Sequence, residues 1–144
     1  MSIFSIMDIS SSGLSCEKVR MELIAQNIAN TETTKTAEGG PYRRKMIAFK
    51  EALNSQLNGT KNSDGFTGAG VQVSNIVADN AEPLMVYDPQ NPDANQNGYV
   101  AKPNINLANE IVDSISASRA YEANVTILNA TKSMASKALT IGRG

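Results

Sequence analysis

The sequence contains no histidine and no tryptophan, and its 144 residues include one cysteine. Without histidine, the commonest general base near neutral pH and the commonest metal ligand are missing. One cysteine can neither close an intrachain disulfide nor build a thiolate metal site. Three Phe and four Tyr are the only aromatics, so a core has to come from Leu, Ile, Val, Met and Ala rather than from large flat rings. Neither sign of charge dominates. The 13 basic and 14 acidic side chains leave a net charge of -1, which removes the basic footprint of a nucleic-acid binder. No run approaches the ~20 apolar residues of a membrane span. Met1 to Ile9 has apolar residues at Ile3, Phe4, Ile6, Met7 and Ile9 but lacks the basic region and cleavage site of a secretory signal. Serines and aspartates occur, but no partner completes a nucleophilic triad. Composition alone therefore disfavours an enzyme, implies no cofactor or metal, and places the protein in the cytoplasm.

What is present is organised in four stretches. Residues 1–30 are apolar-periodic. Residues 31–70 form a polar linker with six basic and four acidic side chains. Residues 71–103 are acidic and hold every proline except Pro41. Residues 104–144 contain no proline. In the first stretch Met7, Leu14, Met21 and Ile28 recur every seven residues, which predicts a helix from about Asp8 to Asn30 with coiled-coil spacing. Val19, Cys16 and Leu23 form a second, weaker face, on which Cys16 reads as a small packing residue. Ser10, Ser11 and Ser12 offer N-caps, and Gly13 weakens any start before it.

The last stretch is the strongest helical signal. Asn106 is an expected N-cap, Glu110 falls in the first turn facing the helix dipole, and Gly142 sits where a terminating glycine belongs. Leu107, Ile111, Ser114, Ser118, Tyr121, Val125, Leu128, Lys132, Ala135 and Leu139 mark a seam by steps of four and three. The rest of the surface is small and uncharged, including Ser116, Ala117, Ala120, Ala123 and Ala130. A solvated helix carries far more Lys and Glu. Such flanks suit burial on more than one side, and one chain of this size cannot supply all the neighbours. The expectation is assembly with other chains, and loose order of the two ends without them.

Between the helices, Lys45 to Leu57 reads as a short helix or strand, Asn58 to Gly70 as a loop, and Val71 to Val77 as a strand. Leu84 to Tyr87 and Tyr99-Val100 read as strands joined by the turn-rich run 88–98, giving a β-hairpin or a small three-stranded sheet. Asp93 to Gly98 has oxygen-bearing side chains at alternate positions, as a calcium loop begins, but the twelfth position is Asn104 rather than Glu; a hairpin turn at Asn97-Gly98 is the plainer reading. Gly65 to Gly70 lacks the Lys-Ser/Thr ending of a phosphate loop. The Asn-x-Thr triplets at Asn58, Asn124 and Asn129 read as chance matches. Tyr42-Arg43-Arg44-Lys45 reads either as a solvated turn or as a contact with a partner protein.

Terminal helices around a β-containing middle are the pattern of flagellar rod and hook axial proteins. Gln26-Asn27-Ile28-Ala29-Asn30-Thr31 resembles the Asn-x-Ala-Asn motif that ends their N-terminal helix, and Ser118-Arg119-Ala120-Tyr121-Glu122-Ala123-Asn124 resembles their C-terminal helix signature. Tyr42 to Lys45, Val86-Tyr87-Asp88-Pro89-Gln90-Asn91-Pro92 and Gly98-Tyr99-Val100 to Asn104 resemble the proximal rod members of that family. The resemblance implies a mainly α fold with a small β region, in which the N- and C-terminal helices pair as an antiparallel coiled coil. It implies a structural subunit of a hollow rod that transmits torque and lines an export channel. The implied partners are the rod proteins FlgB, FlgF and FlgG, the rotor-ring adaptor FliE, and further copies of the chain. The implied location is periplasmic, in the basal body, after type III export without a cleaved signal; this revises the cytoplasmic reading. The assembly residues it points to are Leu14, Met21, Asn27, Ile28, Asn30, Ile111, Ser118, Arg119, Tyr121, Asn124, Val125, Leu128 and Leu139. Alternatives are another rod component, or a calcium- or partner-binding helical adaptor using Asp93 to Asn104.

Overall fold

A computed structural model describes residues 3–53 and 68–142. The chain runs α1 (Ile3–Ala29), β1 (Lys45–Leu53), β2 (Gly68–Ala78), β3 (Leu84–Tyr87), β4 (Tyr99–Lys102) and α2 (Leu107–Ile141). The two helices lie side by side and antiparallel. Asn27 of α1 meets Glu110 of α2, Met21 meets Ser118, and Gly13 meets Asn124. At 35 residues, α2 is about 52 Å long and outruns α1, which has 27. The fold is therefore the helix pair with a small β region in the middle that the sequence led us to expect.

Helix α1 starts earlier than expected. Its serines do not act as caps: Ser12 Oγ donates to the Ile9 carbonyl and Ser15 Oγ to that of Ser11, so the helix runs through them. Gly13 is tolerated mid-helix because α2 comes close there. A Cβ at that position would stand 3.1 Å from Asn124 Nδ2. The helix ends on its Asn-x-Ala-Asn-Thr run. Asn30 Nδ2 donates to the Gln26 carbonyl and Thr31 Oγ1 to those of Asn27 and Ile28, adding to the backbone N–H groups of Asn30 and Thr31 that reach Gln26 and Ile28. Asn106 caps α2, its side chain accepting from the N–H groups of Ala108 and Asn109. Gly142 closes α2 as expected, in the right-handed region (φ -75°), its N–H donating to the carbonyls of Ala138 and Thr140.

Lys45–Leu53 resolves to strand rather than helix, and it pairs antiparallel with β2, while β3 pairs with β4. Among the described residues the middle is thus two separate two-stranded ribbons: the hairpin expected of Leu84 to Val100 forms, and Val71 to Val77 pairs with β1 instead of joining it as a third strand. The loop anticipated at Asn58 to Gly70 falls outside the described residues as far as position 67, and its last three residues open β2. Strand β2 lies directly on α1: Val71 N–H donates to Ser12 Oγ, and Cys16 Sγ to the Val71 carbonyl at 3.5 Å. Gly70, at φ +106°, permits that approach, since a Cβ there would overlap Ser12 Oγ. The β3–β4 turn uses Gly98 at φ +78° with Asn95 Oδ1 accepting from Asn97 N–H and Tyr99 N–H. Tyr87 and Tyr99 pack edge-to-face with ring centroids 5.3 Å apart.

The interior is thin. Among the described residues the buried apolar side chains are Cys16, Leu23, Ile24, Val100, Pro103 and Ala117. The face of α1 that reads as the weaker one, with Cys16 and Leu23, is the more deeply buried, because β1 and β2 cover it. The seven-residue stripe of Met7, Leu14, Met21 and Ile28 stays half-buried.

Candidate functional site

The helix pair is tied to the β region at one end by a polar cluster. Asn27, in the last turns of α1, is fully buried. Its Nδ2 donates to the Lys45 carbonyl (2.9 Å) and to Glu110 Oε2 (3.1 Å). Its Oδ1 accepts from the Lys45 N–H (2.9 Å) and from the Tyr42 hydroxyl (3.2 Å). One amide side chain thus holds both backbone groups of the first residue of β1. Glu110, equally buried, receives Arg44 Nε at 2.6 Å on its other oxygen. Arg44 continues to Asp113 Oδ2 (3.4 Å), whose Oδ1 faces Arg20 of α1 (3.6 Å). Buried charges are tolerated only when paired and hydrogen-bonded; here both carboxylate oxygens of Glu110 are engaged. Burial, and then the negative charge of Glu110, push the Tyr42 hydroxyl above its ordinary range, which keeps it a neutral donor. Burial likewise raises the Cys16 thiol.

The second feature is the surface of α2. The side chains it turns inward are small or polar: Glu110, Ala117 and Thr131 are buried, and Asn124 is half-buried. These four recur every seven residues. The apolar side chains lie elsewhere. Leu107, Ile111, Val112, Ile115, Ile127 and Met134 are each about half exposed or more. At the far end Leu139 and Ile141 are 72% and 81% exposed. A helix that turns small and polar groups to its own partner and apolar groups outward inverts the usual pattern of a surface helix. The small residues allow the two backbones to approach closely, and the outward apolar groups remain available to other chains.

A family model described as "Flagellar basal body rod FlgEFG protein C-terminal" matches residues 96–141. Similar curated proteins match along almost the whole chain. The flagellar basal-body rod protein FlgC of Bacillus subtilis is 45% identical over 99% of this chain and 100% of its own length. That of Borreliella burgdorferi is 43% identical over the full length of both. That of Salmonella typhimurium is 38% identical over 99% of this chain and 100% of its own. The chain belongs to the FlgC family of flagellar basal-body rod proteins.

The FlgC-family framework gives the motif residues places in this fold. Asn27 is the centre of the polar cluster, and Asn30 finishes the helix. Ser118 donates to Met21 Sδ across the pair, and Asn124 packs against Gly13. Leu14, Ile28, Tyr121, Val125 and Leu128 are half-buried, while Arg119 is exposed. The seam read from the sequence is rotated by about one residue over part of its length. The most deeply buried positions of α2 include 117 and 131, where the sequence pattern points to Ser118 and Lys132; Ser118 still faces Met21 and Val125 is half-buried, whereas Lys132 is exposed. Ile111 is about half exposed and Leu139 largely exposed. The basic run divides. Arg44 is spent inside the chain on Glu110 and Asp113, so it is not a free surface cation, whereas Arg43 is exposed and donates to Asn80 Oδ1 at 3.3 Å. Lys45 lies 5.8 Å from the Tyr42 ring centroid. Asp93 Oδ2 accepts from Thr34 Oγ1 at 2.6 Å, and the Asn91 and Asn95 side-chain oxygens are taken by backbone N–H groups, which is turn architecture rather than an open oxygen cage. Glu110 and Asp113 do not stand out as site residues from pattern alone. Their only signal is two acidic side chains early in an almost uncharged helix.

No helix among the described residues is long and apolar enough to cross a membrane.

Proposed function

We propose that this chain is a structural subunit of the flagellar basal-body rod, without enzymatic activity, that polymerises through α1 and α2. The observation that carries the reading is the run of apolar side chains left about half exposed or more along α2, while Ala117 and Thr131 of the same helix are buried. Packed among copies and relatives, that run becomes the interior of a tube wall, and torque passes through many lateral contacts rather than through one reactive centre. The neighbours in this reading are the rod proteins FlgB, FlgF and FlgG, the adaptor FliE and copies of the chain. The setting is the periplasm, reached through the flagellar type III apparatus without a cleaved signal. The helices of the 1–30 and 104–144 segments act as one assembling unit, and the β1–β2 and β3–β4 ribbons form the β region beside it, so the stretch 31–70 is only in part a linker.

The test separates folding from assembly. Ile115→Asp and Ile127→Asp put a charge on positions already about half exposed in the single chain, so the purified variants should keep their helical circular dichroism. In the rod the same charge is buried, at several kcal/mol, and cells carrying either variant should build no rods and not swim. Normal motility with both variants would overturn the reading.

A further inference from the structure

Beside the helix pair lies a groove of about 440 Å³, between α1, α2 and the β1–β2 ribbon. Its walls are Ile9, Cys16, Phe49 and Val71, with Glu17 and Asn124 as polar members. Two features mark it as incomplete. Phe49 is 40% exposed in a chain with few aromatic side chains. Among the described residues Glu17 Oε2 has no hydrogen-bond donor; its one cation, Arg20, stands 3.7 Å away and is shared with Asp113. A carboxylate beside an apolar wall, with its one cation at a distance and shared with a second carboxylate, has acceptor capacity left for another cation. The groove therefore suits an occupant that brings aliphatic side chains and a positive charge together.

The far end of α2 has that composition. It runs past the start of α1, and Leu139 and Ile141 are its most exposed large apolar side chains. Lys132 and Lys137 are exposed and make no ion pair among the described residues. No acidic residue follows Glu122 in the sequence. Within one chain this end lies away from Glu17, because the antiparallel register brings Gly13 to Asn124 and sends later α2 residues toward the start of α1.

We infer that the groove receives the far end of α2 from a second copy of the chain, with Lys137 reaching Glu17 and Leu139 and Ile141 lying against Ile9, Phe49 and Val71. The contact is heterologous, groove to tail, so it propagates instead of closing a dimer. This rests on the reading of the chain as a rod subunit and adds which surfaces meet.

The test places a photoreactive benzoylphenylalanine at Phe49 of the full chain, in cells that build flagella. Irradiation should give a covalent dimer whose cross-linked peptide comes from residues 132–141 of the second copy. A charge exchange checks the ion pair. Glu17→Lys or Lys137→Glu alone should lower the dimer yield about tenfold, and the two together should restore it. Cross-links to another protein, to another segment, or none at all in cells that still swim would overturn the groove contact while leaving the rod reading intact. Normal swimming by cells lacking the chain would overturn the rod reading itself. Loss of dimer in both single variants without rescue in the double would refute the Glu17–Lys137 pairing.

Discussion

The two ends of the helix pair are built on opposite principles. At the Asn27–Glu110 end, polar side chains from α1, β1 and α2 are buried and satisfy one another, and the chain is closed upon itself. At the other end α2 continues alone, with Leu139 and Ile141 bare and lysines unpaired among the described residues. A buried polar cluster is directional, so it fixes one angle between the helices and the β ribbon. Bare aliphatic side chains are non-directional and gain free energy from whatever apolar surface covers them. One end thus sets the shape of the subunit, and the other leaves its energy to be realised on association.

Breaking the closed end should have the largest effect. Glu110→Ala removes the partner of Arg44 and of Asn27 Nδ2, and should cost about 3 kcal/mol in urea unfolding of the isolated chain, the lower part of the range for a broken buried pair because Arg44 retains some contact with water. Asn27→Ala forfeits four hydrogen bonds, two of them to the Lys45 backbone, and should cost about 2 kcal/mol by the same measurement. The open end should behave otherwise. Ile141→Asp should leave the isolated chain within about 0.5 kcal/mol of the parent, as a surface change does, yet reduce swimming. Equal destabilisation at both ends would erase the contrast.

The smallest expected effect is a pH dependence at the closed end. The Tyr42 hydroxyl is raised in the folded chain, so the folded state holds that proton more tightly than the unfolded one. Its contribution is complete below pH 10, the ordinary tyrosine value, and is lost as pH rises through the folded value. The melting temperature of the parent should therefore fall more steeply above pH 10 than that of Tyr42→Phe.

Much of this was legible in the residues. Periodicity located both helices, and the Asn106 cap and the turn at Asn97-Gly98 carried local signals strong enough to survive in the fold. The errors share a cause. Lys132 read as a seam residue because the steps of four and three were carried on without regard to close approach of the helices; the buried position beside it is Thr131. Arg44 read as a surface cation because its two carboxylate partners are 66 and 69 residues away in sequence. Gly13 read as a weak point because its use depends on Asn124, which lies on the other helix.

The sequence by itself determined the existence of two long helices, their lengths within a few residues, the β character of the middle, and the excess of small and apolar side chains over what one chain can bury. These follow from local spacing and capping, which involve neighbours within a turn or a strand. The tertiary structure alone decided which face of α2 turns inward, that β1 joins β2, and that Asn27, Arg44 and Glu110 meet. Those outcomes depend on close approach between distant segments, where steric fit at glycine and alanine and the need to satisfy buried polar groups outweigh any pattern along the chain.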